Sequence, residues 1–104
     1  GVRVNDAVLG YISDLGAATR NHEKIRLGLS TRGLIALKKM SQAYAAVQGM
    51  EFVNPDCVKA VAPYVIPHRL VCRELSLSLS KKSAAEEITE QLLDSVAVPT
   101  EEIG

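Results

Sequence analysis

Residues 30–48 constrain the fold more than any other part of this chain. Leu34, Leu37, Met40, Tyr44 and Val47 recur at helical spacing, with Ala36 and Ala43 beside them. Ser30 or Thr31 supplies a capping oxygen at the start, and Gly49 stands where a left-handed C-terminal cap is expected. The pattern predicts one amphipathic helix of about five turns. A helix with an unbroken apolar stripe has to bury that stripe, so the rest of the chain must provide partners for it.

Three further segments qualify. Residues 5–20 place Val8, Tyr11, Ile12 and Leu15 at helical spacing behind a capping Asn5, with Val4 in phase ahead of it and Asp6 in the first turn. Residues 54–66 begin with Asn54-Pro55-Asp56, a cap followed by proline at the first helical position. Cys57, Val58, Val61 and Ala62 follow, and Pro63 and Pro67 are expected to kink or split this segment. Residues 83–96 have Ser83 and Glu86 at capping-box spacing, with Ile88, Leu92 and Val96 as the apolar stripe. Between these, residues 21–28 read as a polar loop with one apolar plug, Ile25. Residues 51–53 read as an extended connector. Leu75, Leu77 and Leu79 alternate with serines, which suits a short edge strand or an extended loop. The expected fold class is mainly all-α, a compact four-helix bundle with room for one short extended or strand segment. Tyr11 and Tyr44 are expected in the core.

The chain has 104 residues, 47% of them hydrophobic and 23% charged, which suits one globular domain and argues against disorder. Lys+Arg and Asp+Glu both number 12, so no cationic excess supports nucleic-acid binding or a polybasic membrane patch. Aromatic residues are 4%, too few for base-stacking platforms. The longest apolar run, residues 60–66, is interrupted by Pro63 and is too short to span a bilayer. The first residues turn polar too early for an export signal, which leads to an expectation of a cytoplasmic protein. Cys57 and Cys72 fit no CxxC or metal spacing and read as free thiols, with a structural disulfide as the alternative.

The familiar catalytic signatures are missing from these residues. There is no GxxxxGK[ST] phosphate loop, GxGxxG turn, HExxH helix or Cys/His cluster. His22 and His68 have no nucleophile and acid at triad spacing. Glu86-Glu87 and Glu101-Glu102 read as solvated charge. No catalytic and no metal-binding residue is predicted, and the chain by itself does not read as a complete enzyme.

The start of the strongest helix is different. Gly28-Leu29-Ser30-Thr31-Arg32-Gly33-Leu34 puts an arginine in the first turn, just after a capping serine. A helix N-terminus disfavours cations, and the arrangement makes physical sense if an anion binds there between amides and guanidinium. This stretch resembles the Gly-small-Ser-Pro-Arg-Ala motif in the C-terminal lid of MoxR-type AAA+ ATPases. The likeness continues in order through Tyr11-Ile12-Ser13-Asp14-Leu15 and Ala18-Thr19-Arg20. It runs on through Ala43-Tyr44-Ala45-Ala46-Val47-Gln48-Gly49, Phe52-Val53-Asn54-Pro55-Asp56 and Val58-Lys59-Ala60-Val61-Ala62-Pro63. It ends with His68-Arg69-Leu70 and Val96-Ala97-Val98-Pro99. It spans roughly residues 4–99. Thr31 replaces the family's proline and Gly33 its alanine, and residues 73–82 are unlike the family.

The resemblance implies a helical lid over residues 1–99 with a tail at 100–104, the C-terminal part of a larger ATPase. A P-loop domain upstream of residue 1 would hold ATP and Mg²⁺. Arg32 would be the sensor 2 arginine at the ATP phosphate, with Ser30 and Thr31 beside it. Arg20, Lys24 and Arg26 read either as a basic rim to that site or as a solvated loop. His68 and Arg69 read either as a contact to a neighbouring subunit or as structural residues. The implied partners are the chain's own ATPase domain, further copies in a ring of six, and clients such as von Willebrand A domain proteins remodelled by a chaperone-like cycle. No nucleic acid and no membrane is expected. The alternative is a helical protein-interaction module unrelated to nucleotide, with an apolar groove between the second and third helices. A helix-turn-helix DNA binder is disfavoured by the zero net charge.

Overall fold

A computed structural model describes residues 2–72 and 83–99. Four helices carry it: α1 (Asp6–Arg20), α2 (Thr31–Val47), α3 (Pro55–Val65) and α4 (Ala84–Ser95). Two short strands, β1 (Ile25–Leu27) and β2 (Val71–Cys72), and a 3₁₀ turn at Pro67–Arg69 complete it. The mainly helical class therefore holds, with a small two-stranded sheet in place of a single extended segment.

The helix starts form where side chains supply the missing acceptors. Asn5 accepts from Val8 N at 2.9 Å and Asn54 from Cys57 N at 3.0 Å. Ser83 and Glu86 close a capping box, with Glu86 N donating to Ser83 Oγ at 3.2 Å and the hydroxyl donating to Glu86 Oε1 at 3.2 Å. α2 ends as its glycine predicts. Gly49 has φ +74°, Gly49 N donates to Ala46 O and Met50 N to Ala45 O, the paired bonds of a left-handed helix stop.

The core lies between α1, α2 and α3. Val8, Tyr11, Ile12 and Leu15 of α1 meet Leu37 and Ala45 of α2 and Cys57, Val58, Val61, Ala62 and Val65 of α3. A second cluster, Ile25, Ile88 and Leu92, joins α4 to β1. The entering chain is pinned to the α2–α3 connector. Arg3 and Phe52 form a parallel bridge, Val53 N donates to Arg3 O at 2.8 Å, and Gln42 Nε2 donates to Val2 O at 2.9 Å.

The structure corrects three expectations and locates a fourth. Residues 21–28 are not all loop: β1 pairs antiparallel with β2, Ile25 opposite Cys72 and Leu27 opposite Val71 across an irregularity. Ile25 is the buried plug, but its strand partner comes from a distant part of the chain. The break expected between Pro63 and Pro67 falls at Ile66: α3 runs through Pro63 to Val65, and Pro67 opens the 3₁₀ turn. Pro63 is exposed, and its ring costs only the bond to Lys59 O. α2 is rotated from the predicted stripe. Its buried residues are Gly33, Leu37, Ser41 and Ala45, while Met40, Tyr44 and Val47 are exposed. Tyr44 is therefore not a core residue, whereas Tyr11 is.

The rotation has a physical cause. Gly33, Ser41 and Ala45 are small and let neighbouring elements approach α2 closely, and Ser41 Oγ satisfies itself by donating to Leu37 O at 2.7 Å. Thr19 and Thr89 bury their hydroxyls in the same way, donating to Gly16 O at 2.6 Å and Ala85 O at 2.7 Å. The alternating leucines at residues 75, 77 and 79 lie outside the described residues.

Candidate functional site

The start of α2 is built from the end of α1. Gly28 lies against that helix end so closely that a methyl group there would sit 2.7 Å from Arg20 N and 2.8 Å from the Thr19 carbonyl carbon. Only glycine allows that approach without displacing backbone. The next residue, Leu29, is held at both of its backbone polar groups. Its N–H donates to Thr19 Oγ1 at 2.9 Å, and its carbonyl accepts from Arg20 Nη1 at 3.1 Å. Its side chain is 1% exposed, and Gly33 leaves room for it one turn into α2.

Ser30 then turns the chain into the helix. Its φ of −77° and ψ of 171° are extended, its Oγ accepts from Gly33 N at 3.2 Å, and its carbonyl accepts from Leu34 N at 3.0 Å. The Ser30 hydroxyl is therefore a cap. The amides of Thr31 and Arg32 are left as donors at the open end, since the first turn of a helix has no internal acceptor for them. Arg32 is exposed, and among the described residues nothing holds its guanidinium. No acidic residue stands in the first turn of α2, although α1, α3 and α4 each have one or two. Two free amides, a free guanidinium and the positive end of the helix dipole suit an anion with several oxygens, such as a phosphate.

The structure adds one cation that the sequence reading left apart. Arg69 runs past the same helix end, its Cδ 3.4 Å from where a Gly33 methyl would be. The signal for this was Gly33 itself, which departs from a better helix former at a position that the fold keeps open. Arg20 donates through one guanidinium nitrogen to Leu29 O. Arg26 and Lys24 are exposed. His22 belongs to its own turn, with Nδ1 accepting from Lys24 N at 3.1 Å, and His68 is exposed in the 3₁₀ turn. Cys57 and Cys72 are both free, and Cys57 Sγ lies 3.7 Å from Met50 Sδ. Among the described residues no group of three His, Cys, Asp or Glu side chains is placed to hold a metal ion. A groove lined by Val2, Arg3, Met50, Glu51 and Phe52 lies at the opposite end of α2 and contains none of the predicted site residues. No helix among the described residues is long and apolar enough to cross a membrane.

The model of the AAA lid domain family matches residues 17–92, which takes in the end of α1, both strands and most of α4. The chain belongs to the AAA lid domain family. The lid is 35% identical over 100 residues to YeaC, an uncharacterized protein of Bacillus subtilis (strain 168), covering 96% of this chain and 31% of that protein. It also superposes on the crystal structure of a protein from Cytophaga hutchinsonii ATCC 33406 provisionally described as an ATPase. There the TM-score is 0.80 and the identity 25%, over 94% of this chain and 32% of the other. The lid thus spans about a third of the length of the relatives it matches.

Proposed function

We propose that this lid serves a MoxR-type AAA+ ATPase, closing over ATP bound by a P-loop domain elsewhere in the same polypeptide, with Arg32 as the sensor 2 residue. The observation that carries the reading is the Arg32 guanidinium, without a partner among the described residues, beside the first-turn amides at the acid-free start of α2. The relatives' length leaves about two thirds of a chain for the nucleotide-binding part. ATP with Mg²⁺, when bound, supplies the phosphoanhydride to be cleaved. The residues of the lid do the rest of what is proposed here. Arg32 contacts the terminal phosphate, and the Thr31 amide adds a neutral donor. Ser30 holds the turn that presents them. Loss of the phosphate removes Arg32's partner, and the lid reopens as a rigid body. In a ring of copies, proposed to be hexameric, that motion acts on client proteins, for which von Willebrand A domain partners are the proposed class.

The test is Arg32→Ala in the full-length protein. ATP hydrolysis should fall by at least about tenfold, because one preorganised cationic donor is lost. The far-ultraviolet circular dichroism of the lid should not change, because Arg32 is exposed. Wild-type turnover in that variant overturns the assignment. The interaction-module reading has one observation in its favour, the exposed Met40, Tyr44 and Val47 along α2. It predicts that Arg32→Ala has no effect on turnover and that charge placed at Val47 abolishes partner binding.

A further inference from the structure

We infer that Thr19 and Arg20, at the C-terminal end of α1, are positioning residues for Arg32. The inference rests on the sensor reading of Arg32 and adds what holds that residue in place. Two consecutive residues of α1 grip the two backbone polar groups of one residue, Leu29, which directly precedes the cap of α2.

The grip is directional. The Thr19 hydroxyl donates to Gly16 O at 2.6 Å, which fixes its hydrogen and turns its lone pairs toward the Leu29 amide at 2.9 Å. Thr19 is fully buried, so neither bond competes with water. Arg20 reaches the other side of the same peptide from the solvent side, at 3.1 Å. Gly28 lets the chain press onto α1, and the Leu29 side chain fills the space that Gly33 leaves on α2. Leu29 is thereby fixed to α1 through its backbone and to α2 through its side chain. From Leu29 to Arg32 the chain runs only through the capped turn at Ser30 and Thr31. The guanidinium's starting point is therefore set by the end of α1. A displacement of about 1 Å at a phosphate-contacting group costs on the order of a hundredfold in rate. Arg20 belongs to this support through its bond to the Leu29 carbonyl.

The test uses the full-length protein and four substitutions, Thr19→Val, Thr19→Ser, Arg20→Met and Arg32→Ala, with the double variants on the Arg32→Ala background. Thr19→Val and Arg20→Met should each lower kcat for ATP hydrolysis by about tenfold while KM changes less than about twofold. Thr19→Ser, which keeps the hydroxyl, should restore the rate. On the Arg32→Ala background neither Thr19→Val nor Arg20→Met should lower kcat further, because a positioning residue has nothing left to position. Equal losses on both backgrounds would mean that Thr19 and Arg20 only stabilise the lid, and would overturn the inference. A slow Arg32→Ala enzyme with wild-type rates for Thr19→Val and Arg20→Met overturns the inference alone. A wild-type rate for Arg32→Ala overturns the sensor reading, and the positioning role with it. Arg20 is exposed, so Arg20→Met leaves the core intact and decides the matter even if Thr19→Val does not fold.

Discussion

At the residue scale, the two positions that reveal most are a glycine and a tyrosine. A methyl group at Gly28 would meet backbone atoms of α1 at 2.7 and 2.8 Å, and backbone has no rotamer to retreat into. Gly28→Ala should destabilise the domain by about 1–3 kcal/mol in urea unfolding. Gly10 is the control, since it lies inside α1 with nothing within 4 Å of its added methyl. Gly10→Ala should stabilise by about 0.5–1 kcal/mol. Tyr11 packs its ring in the core, and its hydroxyl is buried with no hydrogen-bond partner among the described residues. Tyr11→Phe should therefore cost nothing at neutral pH and shift the unfolding midpoint upward if it shifts it at all. Burial first, and then the Asp56 carboxylate, push the phenol above its ordinary 10.0. The folded state keeps that proton longer than the unfolded chain does. The stability it contributes is complete below a pH of about 10 and is lost as the pH climbs from there through the raised folded value. The difference in stability between wild type and Tyr11→Phe should grow with pH across that window, the variant losing less. A pH-independent difference would mean that Tyr11 does not titrate in the core.

At the element scale, the orientation of α2 is the decisive feature. Leu, Met, Tyr and Val at helical spacing marked residues 34, 37, 40, 44 and 47 as the buried stripe, and only Leu37 of these is fully buried. The helix turns its small residues inward because Ser41 and Ala45 admit close packing that Met40 and Tyr44 would obstruct. Leu37→Ala should cost about 2–5 kcal/mol. Val47 is 82% exposed, and Val47→Ala should fall within about 0.5 kcal/mol of wild type. Similar losses at the two positions in chemical denaturation would contradict the rotation. The same orientation leaves Met40, Tyr44 and Val47 at the surface and turns Arg32 outward.

At the scale of the whole molecule, stability is divided between two clusters. The large one unites α1, α2 and α3 and takes in Leu93 of α4, and the small one ties α4 to the strand pair through Ile25, Ile88 and Leu92. A cluster of three side chains is easier to open than one of fifteen. Ile88→Ala should reduce amide protection in α4 and β1 together, while the amides of α2 and α3 keep most of theirs. Hydrogen exchange read residue by residue checks this, and uniform loss of protection would show a single cooperative unit instead. The candidate site sits on the stable side of that division, with α1 and α2 contributing Thr19, Arg20 and Arg32.

The sequence alone determined the features that depend on neighbours a few residues apart. Four helices, the caps at Asn5, Asn54 and Ser83, a cap at Ser30 or Thr31, the stop at Gly49 and the place of Arg32 in a first turn all follow from spacing and capping chemistry within one element. The tertiary structure alone decided which face of α2 is buried, that Ile25–Leu27 finds Val71–Cys72, that Arg69 comes alongside Gly33, and that Arg20 is bound to Leu29. Each of these is a choice among alternatives of similar local energy. The choice is made by the shape and hydrogen-bonding needs of groups that the chain brings together only when it folds.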